Sequence, residues 1–570
     1  MNTSTFVNRI INQSISVYFF FVKLFLWNPF INKTFNPARE QKIVLKSILK
    51  NNKDTIIGKK YGFSFIDSYE DFINSVPVHN YEMLRPYIEK QELTKEYYLT
   101  SKNPLAYAQT SGTTNKPKFI PIFDTTVSNY KNSQRISSFV QQQQISSLFN
   151  GRILAIAGPA IEGELNTGTP YGSLSGMVYK EITKLIRSKY VLPYELFDID
   201  DYEERYLLIA VLSIAMKNIS TLAAVNPSTI LKISEVINER IYDLIEILET
   251  GNINSSFELS DSGQKILKKY FKKDNARAVE LMTISVRDKK IKLKHIWPEL
   301  KAVITWKDGN CGFLIPSLIK ELSEQTKIIE MGYISSEFRG TIVVDPLKGE
   351  AIPVINENFY EFVEKNDWEY GKKNFQTIDQ IEVGKQYYIL ITTPYGLYRY
   401  FINDIIEVTG EFNNTPTIRF VQKGKGVTNI TGEKVYEEHV IKALKKIKEK
   451  NDVNFDFFIF LANPLDLKYE LYLECEPIYD FDISKEVDRE IKINNIEYKY
   501  KRESGRLNPI EIIYLNRGTG EEYKKSCIKH GQRETQFKFI HLMQKDECSF
   551  NFNNYSRTLG KINDNQIINC

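Results

Sequence analysis

Between residues 300 and 421 the apolar side chains come in short β-branched and aromatic runs, "KAVIT", "KIIEMGYI", "GTIVVD", "NFYEFV", "QYYILITT" and "TIRFVQ", separated by Gly, Pro and Asn. Runs of that length and composition predict strands. The rhythm differs upstream. "NPAREQKIVLKSILKNN" (36–52) places apolar residues at 43, 44, 45, 48 and 49 behind Pro37, the spacing of a packed helix. Over 210–249 a buried strand or helix gives way to amphipathic helix, which reads as core scaffold. Beyond 421, glycines at 424, 426 and 432 precede a helix with Val435, Val440, Ala443, Leu444 and Ile447 on its apolar face. A glycine cluster between structured segments marks a turn or hinge. Since 570 residues exceed one domain of ~150, two parts are expected, 1–422 and 423–570.

Charge and composition exclude several classes. The 75 basic and 71 acidic residues run along the whole length, so no strongly basic field argues for nucleic acid. Five cysteines, at 311, 475, 527, 548 and 570, show no C-x-x-C spacing, and their odd number argues for a reducing cytoplasm over a disulfide framework. Histidines 79, 295, 439, 530 and 541 form no ligand cluster in sequence. "ISVYFFFVKLFLW" (15–27) contains Lys23, lacks a small-residue cleavage site and is shorter than the ~20 apolar residues of a spanning helix. It predicts an amphipathic or buried helix and no transmembrane segment, with peripheral membrane contact as the lesser alternative.

Three stretches could carry chemistry. In "LAYAQTSGTTNKPKFIPIF" (105–123) two extended runs flank "TSGTTNKP". A Walker loop would need G-x-x-x-x-G-K-[ST], and Gly112 meets Pro117 five positions later, so that reading fails. The hydroxyls of Thr110, Ser111, Thr113 and Thr114, the backbone freed at Gly112 and the ammonium of Lys118 nonetheless suit phosphate oxygens. An ordinary polar surface turn has the same composition. "MGYISSEFRG" (331–340) sets Tyr333, Ser335 and Ser336 beside Glu337, a carboxylate suited to a hard cation such as Mg²⁺, or else a hydroxylated turn with a solvated Glu. "GLYRYFINDIIEV" (396–408) ends a strand with Arg399 and then Asp404, which could accept both hydroxyls of a ribose or join a structural ion pair.

In order and spacing the three together resemble the acyl acid amido synthetases of the auxin-responsive Gretchen Hagen family, in a bacterial-looking version, within the acyl-adenylate-forming superfamily. "TSGTTNKPK" is similar to the superfamily's phosphate loop, "GYISSE" to its adenine and magnesium motif, and "YRYFIND" to the family's ribose motif. The likeness continues through "NFYEF" (358–362), "GVTNITGEKVYEEHV" (426–440) and "GQRETQFKFIHL" (531–542). It implies an α/β fold: a large N-terminal adenylate-forming domain of α/β subdomains with a β-barrel, and a small mobile α+β C-terminal domain.

The same resemblance implies roles. Thr110, Ser111, Gly112, Thr113, Thr114 and Lys118 would surround ATP phosphates; Tyr333, Ser335 and Ser336 would border the adenine; Glu337 would bind Mg²⁺; Asp404, with Arg399, would hold the ribose side. Lys434 matches a family lysine near the phosphates, and Lys538 the C-terminal lysine that assists adenylation. On an extended strand Lys538 would share a face with Ile540 and Leu542, an unusual place for a lysine unless its tip reaches an anion. Asn115 and Asn403 stand where the family usually has glycine. Asparagine tolerates left-handed backbone best among non-glycine residues, at ~1 kcal/mol per site, but its side chain is bulkier. The implied activity is a cytoplasmic, monomeric ligase that adenylates a carboxylic acid and passes the acyl group to an amine, an amino acid above all. Transfer to a thiol or alcohol, or a decayed nucleotide-binding scaffold, are the alternatives.

Overall fold

The apolar runs after residue 300 become strands of three different sheets in the computed structural model, Thr341–Asp345 pairing with Glu350–Pro353 in a sheet of two strands. The structure describes residues 15–557 except 111–117, 253–258, 370, 425, 429, 431–432, 434, 464, 477–480, 504, 506, 531–533 and 535–536. The first extended pair forms an antiparallel hairpin, β1 (Ala106–Thr110) with β2 (Lys118–Ile122), in the register Ala106 to Ile122 through Thr110 to Lys118. β3 (Arg152–Ala155), β4 (Ile219–Ala223), β5 (Ala302–Thr305) and β6 (Lys327–Glu330) make a parallel sheet in chain order. Such a sheet needs covered faces, which explains the thick apolar runs of 210–249. The helix Tyr202–Ile214, capped by Asp201 accepting the Glu204 N–H at 2.7 Å, is buried nearly throughout, and Pro227–Glu239 follows β4.

The second sheet is an antiparallel meander of β7 (Phe359–Glu364), β8 (Gln386–Thr392), β9 (Tyr400–Phe412) and β10 (Thr415–Lys423). Its core reaches the N-terminal helices. Helix α1 (Ile15–Thr34) contributes Phe19, Val22 and Phe30. Helix α2 (Pro37–Asn52) starts where Asn36 accepts the Arg39 N–H, and its Gln41 side chain bonds to the Ile355 and Asn358 carbonyls. A third helix, α3 (Asp124–Gln144), follows β2 and buries Ile136, Phe139 and Val140.

Two compact units emerge. One comprises Met1–Val421 with Glu534–Gln536, the other Gln422–Arg533 with Phe537–Cys570. Within the second, β11 (Phe457–Asn463), β12 (Lys468–Glu474), β13 (Glu511–Tyr514) and β14 (Leu542–Gln544) form a mixed sheet, with Glu437–Asn451 and Ile483–Asn494 as its longest helices among the described residues.

One expectation is corrected here. The apolar helix is not limited to 15–27: α1 runs 20 residues, long and apolar enough by length and composition to cross a membrane. The five residues Lys23–Trp27 form a π turn, with the Asn28 N–H donating to the Lys23 carbonyl, and helical hydrogen bonding resumes through Pro29 instead of stopping before it.

Candidate active site

Lys118, Tyr333, Tyr400 and Asp404 come together from three parts of the sequence. Lys118 opens β2 opposite Thr110. Its half-buried ammonium lies 3.5 Å from the Tyr400 hydroxyl and 5.6 Å from the centre of the Tyr81 ring. Tyr400 opens β9, and Asp404 lies four residues along the same strand.

A bulge presents Asp404. Phe401 pairs with Leu390 and Ile405 with Tyr388, so residues 402–404 stand opposite Ile389 alone. Asn403 sits inside this bulge at φ +61°, the left-handed geometry that asparagine tolerates. The buried Asp404 carboxylate accepts a 2.6 Å hydrogen bond from the Tyr333 hydroxyl.

Tyr333 is fixed by the loop after β6. Its N–H donates to the Thr341 hydroxyl at 2.8 Å, and its carbonyl accepts from Gly340 and Thr341. Gly332 allows this turn, since at φ +91° a Cβ would come 2.9 Å from the Thr341 hydroxyl oxygen. The ring packs edge-on against Phe338 at 5.3 Å and stacks on Phe420 at 5.7 Å. Ser335 closes the loop on itself: its N–H donates to the Phe338 carbonyl at 3.0 Å. Glu337 and Ser336 are half-buried beside it.

The electrostatics keep both phenols protonated. Burial first, then the Asp404 charge and hydrogen bond, then Glu337 hold the Tyr333 hydroxyl well above its ordinary range. Burial and then Glu337 do the same for Tyr400. Two carboxylates thus face two neutral hydroxyl donors and one ammonium. Among the described residues no cluster of three or more His, Cys, Asp or Glu could cage a metal. Glu337 and Asp404 are hard oxygen donors that fit a Mg²⁺ held chiefly by substrate phosphates and water.

Arg399 is paired within the protein. Its guanidinium is 2% exposed, and its Nε reaches both carboxylate oxygens of buried Glu361 at 3.0 Å. It also donates to the Val76 and Ile73 carbonyls at 2.8 and 3.1 Å and lies 4.3 Å from the centre of the Phe375 ring. At φ +43° it holds the turn into β9, with its guanidinium ion-paired to Glu361. Lys538 does not lie on a strand face with Ile540 and Leu542: β14 begins only at Leu542, which is buried while Ile540 is exposed. Lys538 itself is half-buried beside buried Phe537. Ser111, Gly112, Thr113, Thr114, Asn115 and Lys434 lie outside the described residues.

Two participants escaped the sequence reading. Tyr400 was masked by its neighbour Arg399 in "YRYFIND". Glu330, which ends β6, accepts the Lys307 N–H at 2.6 Å and the Gly332 N–H at 2.8 Å, tying two loops together beside Tyr333. Burial, then the Asp308 charge, push its carboxyl up to about 7. A glutamate closing an apolar strand, "KIIE", was the available signal.

The fold is that of the adenylate-forming ligases. The structure matches 2-hydroxyisobutyryl-CoA ligase in its postadenylation state at a TM-score of 0.53, covering 89% of each chain at 11% identity. It matches the GH3.15 acyl acid amido synthetase at 0.82, covering 92% of this chain and 95% of that one at 21% identity. The chain belongs to the GH3 family, whose N-terminal, central and C-terminal domains match residues 27–328, 351–423 and 438–547. Similar proteins include the indole-3-acetic acid-amido synthetase GH3.17 of Arabidopsis thaliana, 24% identical over 89% of this chain and 91% of that protein. The 4-substituted benzoates-glutamate ligase GH3.12 of the same plant is 25% identical over 43% and 46%.

Proposed function

We propose that the protein is an ATP-dependent acyl acid amido synthetase. It adenylates a carboxylic acid with release of pyrophosphate, then transfers the acyl group from AMP to the amine of an amino acid. The observation that carries this reading is the convergence of Lys118, Tyr333, Tyr400 and Asp404 in a chain with all three GH3 domains.

In this reading the substrate carboxylate attacks the α-phosphorus in line, forming the acyl–phosphate bond as the bond to pyrophosphate breaks. The Lys118 ammonium offsets charge on the phosphoryl oxygens, and buried Asp404 accepts from ribose hydroxyls. The Tyr333–Asp404 hydrogen bond fixes the carboxylate's direction before substrate arrives, so little reorganisation is left for the reaction. Mg²⁺, when bound through Glu337, would supply further neutralisation of phosphate charge. The amine nitrogen then attacks the acyl carbon, AMP leaves, and one proton passes to solvent. Lys434 and Lys538 are proposed to join the phosphates, with Ser111, Gly112, Thr113 and Thr114 as their loop.

The test is acid-dependent exchange of labelled pyrophosphate into ATP over a panel of aryl, indolyl and fatty acids, followed by mass spectrometry with pooled amino acids, amines and thiols. Asp404→Asn and Lys118→Ala should each lower exchange at least ~100-fold in folded protein, by analogy with other electrostatic groups at reacting phosphates. Silence of the wild-type protein across the panel would overturn adenylation. Exchange accompanied only by thioester or ester products would overturn amide formation.

A further inference from the structure

Helix α1 carries two apolar faces, and the protein uses one of them. On the inner face Phe19 packs 5.6 Å from Phe149 and 6.3 Å from Phe139, Trp27 packs 5.9 Å from Phe139, and Val22 and Phe30 are buried. On the outer face Val17, Phe20, Phe21, Leu24 and Phe25 stand between 47% and 64% exposed. Their spacing of three and one residues makes a continuous stripe, within which the Phe21 and Phe25 rings stack at 6.0 Å. A water-facing stripe of five large apolar side chains on one helix marks a surface built for contact.

Charge identifies what the stripe meets. The first 39 residues contain Arg9, Lys23, Lys33 and Arg39 and no Asp or Glu, four positive charges in all. The whole chain has 75 basic and 71 acidic residues, a difference of +4, so residues 40–570 balance at 71 against 71. All of the net charge therefore accompanies the apolar helix. Lys33 pairs with Glu40, while Lys23 stands exposed beside the stripe and Arg39 is exposed five residues past the helix end. We propose that α1 seats the protein on an anionic lipid bilayer, its axis in the plane of the interface and its outer face among the headgroups and upper acyl chains. An amphipathic helix with large apolar residues on one side and cations at its edge is suited to that position. The helix lies on the bilayer instead of crossing it because its inner face is committed to the core on Phe139 and Phe149.

The experiment is co-sedimentation of the full-length protein with vesicles of phosphatidylcholine alone or with about a quarter phosphatidylglycerol. Partitioning should be stronger by ~25-fold on the anionic vesicles, since each of the two exposed cations, Lys23 and Arg39, contributes roughly fivefold near such a surface. A Phe21→Glu, Phe25→Glu double variant should lose at least ~100-fold in partitioning. Its thermal unfolding and pyrophosphate exchange should stay unchanged, because both side chains are exposed and neither touches the candidate active site. Lys23→Glu should abolish the preference for anionic lipid while leaving residual binding. Wild-type protein that remains in the supernatant with both vesicles would overturn the proposal, as would a double variant that still sediments like wild type. Retention through an alkaline carbonate wash would assign a spanning helix instead. A lipid-free dimer abolished by the double variant would assign the stripe to a second copy of the chain.

Discussion

Replacing Arg399 with methionine separates two roles that its motif confounds. If the side chain serves the protein, Arg399→Met leaves the Glu361 carboxylate buried without a counter-charge and strips donors from the Val76 and Ile73 carbonyls. Loss of one partner from a buried, bidentate pair costs about 3–5 kcal/mol. Burial already pushes the Glu361 carboxyl above its ordinary range, and Arg399 is the chief group opposing that. Adding Glu361→Leu removes the stranded charge, so the double variant should recover all but about 2–3 kcal/mol, the share of the two carbonyls and of the Tyr69 hydroxyl that loses its Glu361 acceptor. Urea unfolding at pH 7 followed by fluorescence measures both terms, and pyrophosphate exchange measures KM for ATP on the folded protein. Arg399→Lys should rescue poorly, because an ammonium lacks the planar fork that meets both carboxylate oxygens. The reasoning is refuted if Arg399→Met unfolds within about 1 kcal/mol of wild type while KM for ATP rises tenfold or more.

Asn403→Ala should cost about 1–2 kcal/mol in thermal unfolding and Asn403→Gly less than about 1, because the bulge needs positive φ; an alanine variant more stable than wild type would contradict this. Burial pushes Glu330 up to about 7, and likewise Glu357, whose carboxyl accepts from the Ser133 hydroxyl of α3 at 3.2 Å. Each keeps its proton in the folded chain where the unfolded chain, near 4.5, has lost it. Their contribution is therefore full below about 4.5 and declines as pH rises to about 7, by ~3 kcal/mol each. Urea midpoints from pH 5 to 8 should carry that decline, with a shallower slope in Glu330→Gln and in Glu357→Gln; identical slopes in the variants would remove these carboxyls from the account.

The hairpin was legible because two short extended runs flank a stretch rich in hydroxyls, Gly and Pro, and observed β1 and β2 fall within 105–123. The strands of 300–421 were legible from β-branched and aromatic runs between Gly, Pro and Asn, and α2 because Pro37 and an apolar stripe fix its start and face. Arg399 was not, since adjacency to Asp404 in sequence says nothing of direction at a strand end with positive φ. The partner that claims it, Glu361, is 38 positions away. The length of α1 was hidden by Asn28 and Pro29, which normally stop a helix but here follow a π turn. Ile540 and Leu542 misled because alternation applies only where a strand exists.

The buried bonds around Arg399 also impose a timetable on synthesis. The guanidinium binds the Val76 carbonyl across 323 positions, the Tyr398 hydroxyl binds the Leu99 carbonyl across 299, and Gln41 reaches Asn358 across 317. During translation at roughly 5–20 residues per second, the first hundred residues wait on the order of 15–60 s for these partners. The inner face of α1 is covered sooner, since Phe139 and Phe149 lie within about 130 positions of it, whereas Asp404, the carboxylate proposed to hold the ribose, emerges only at the end of that interval. ATP consequently cannot template the early chain. Under the proposed function, nucleotide binding is a readout of chains that have completed their longest-range contacts.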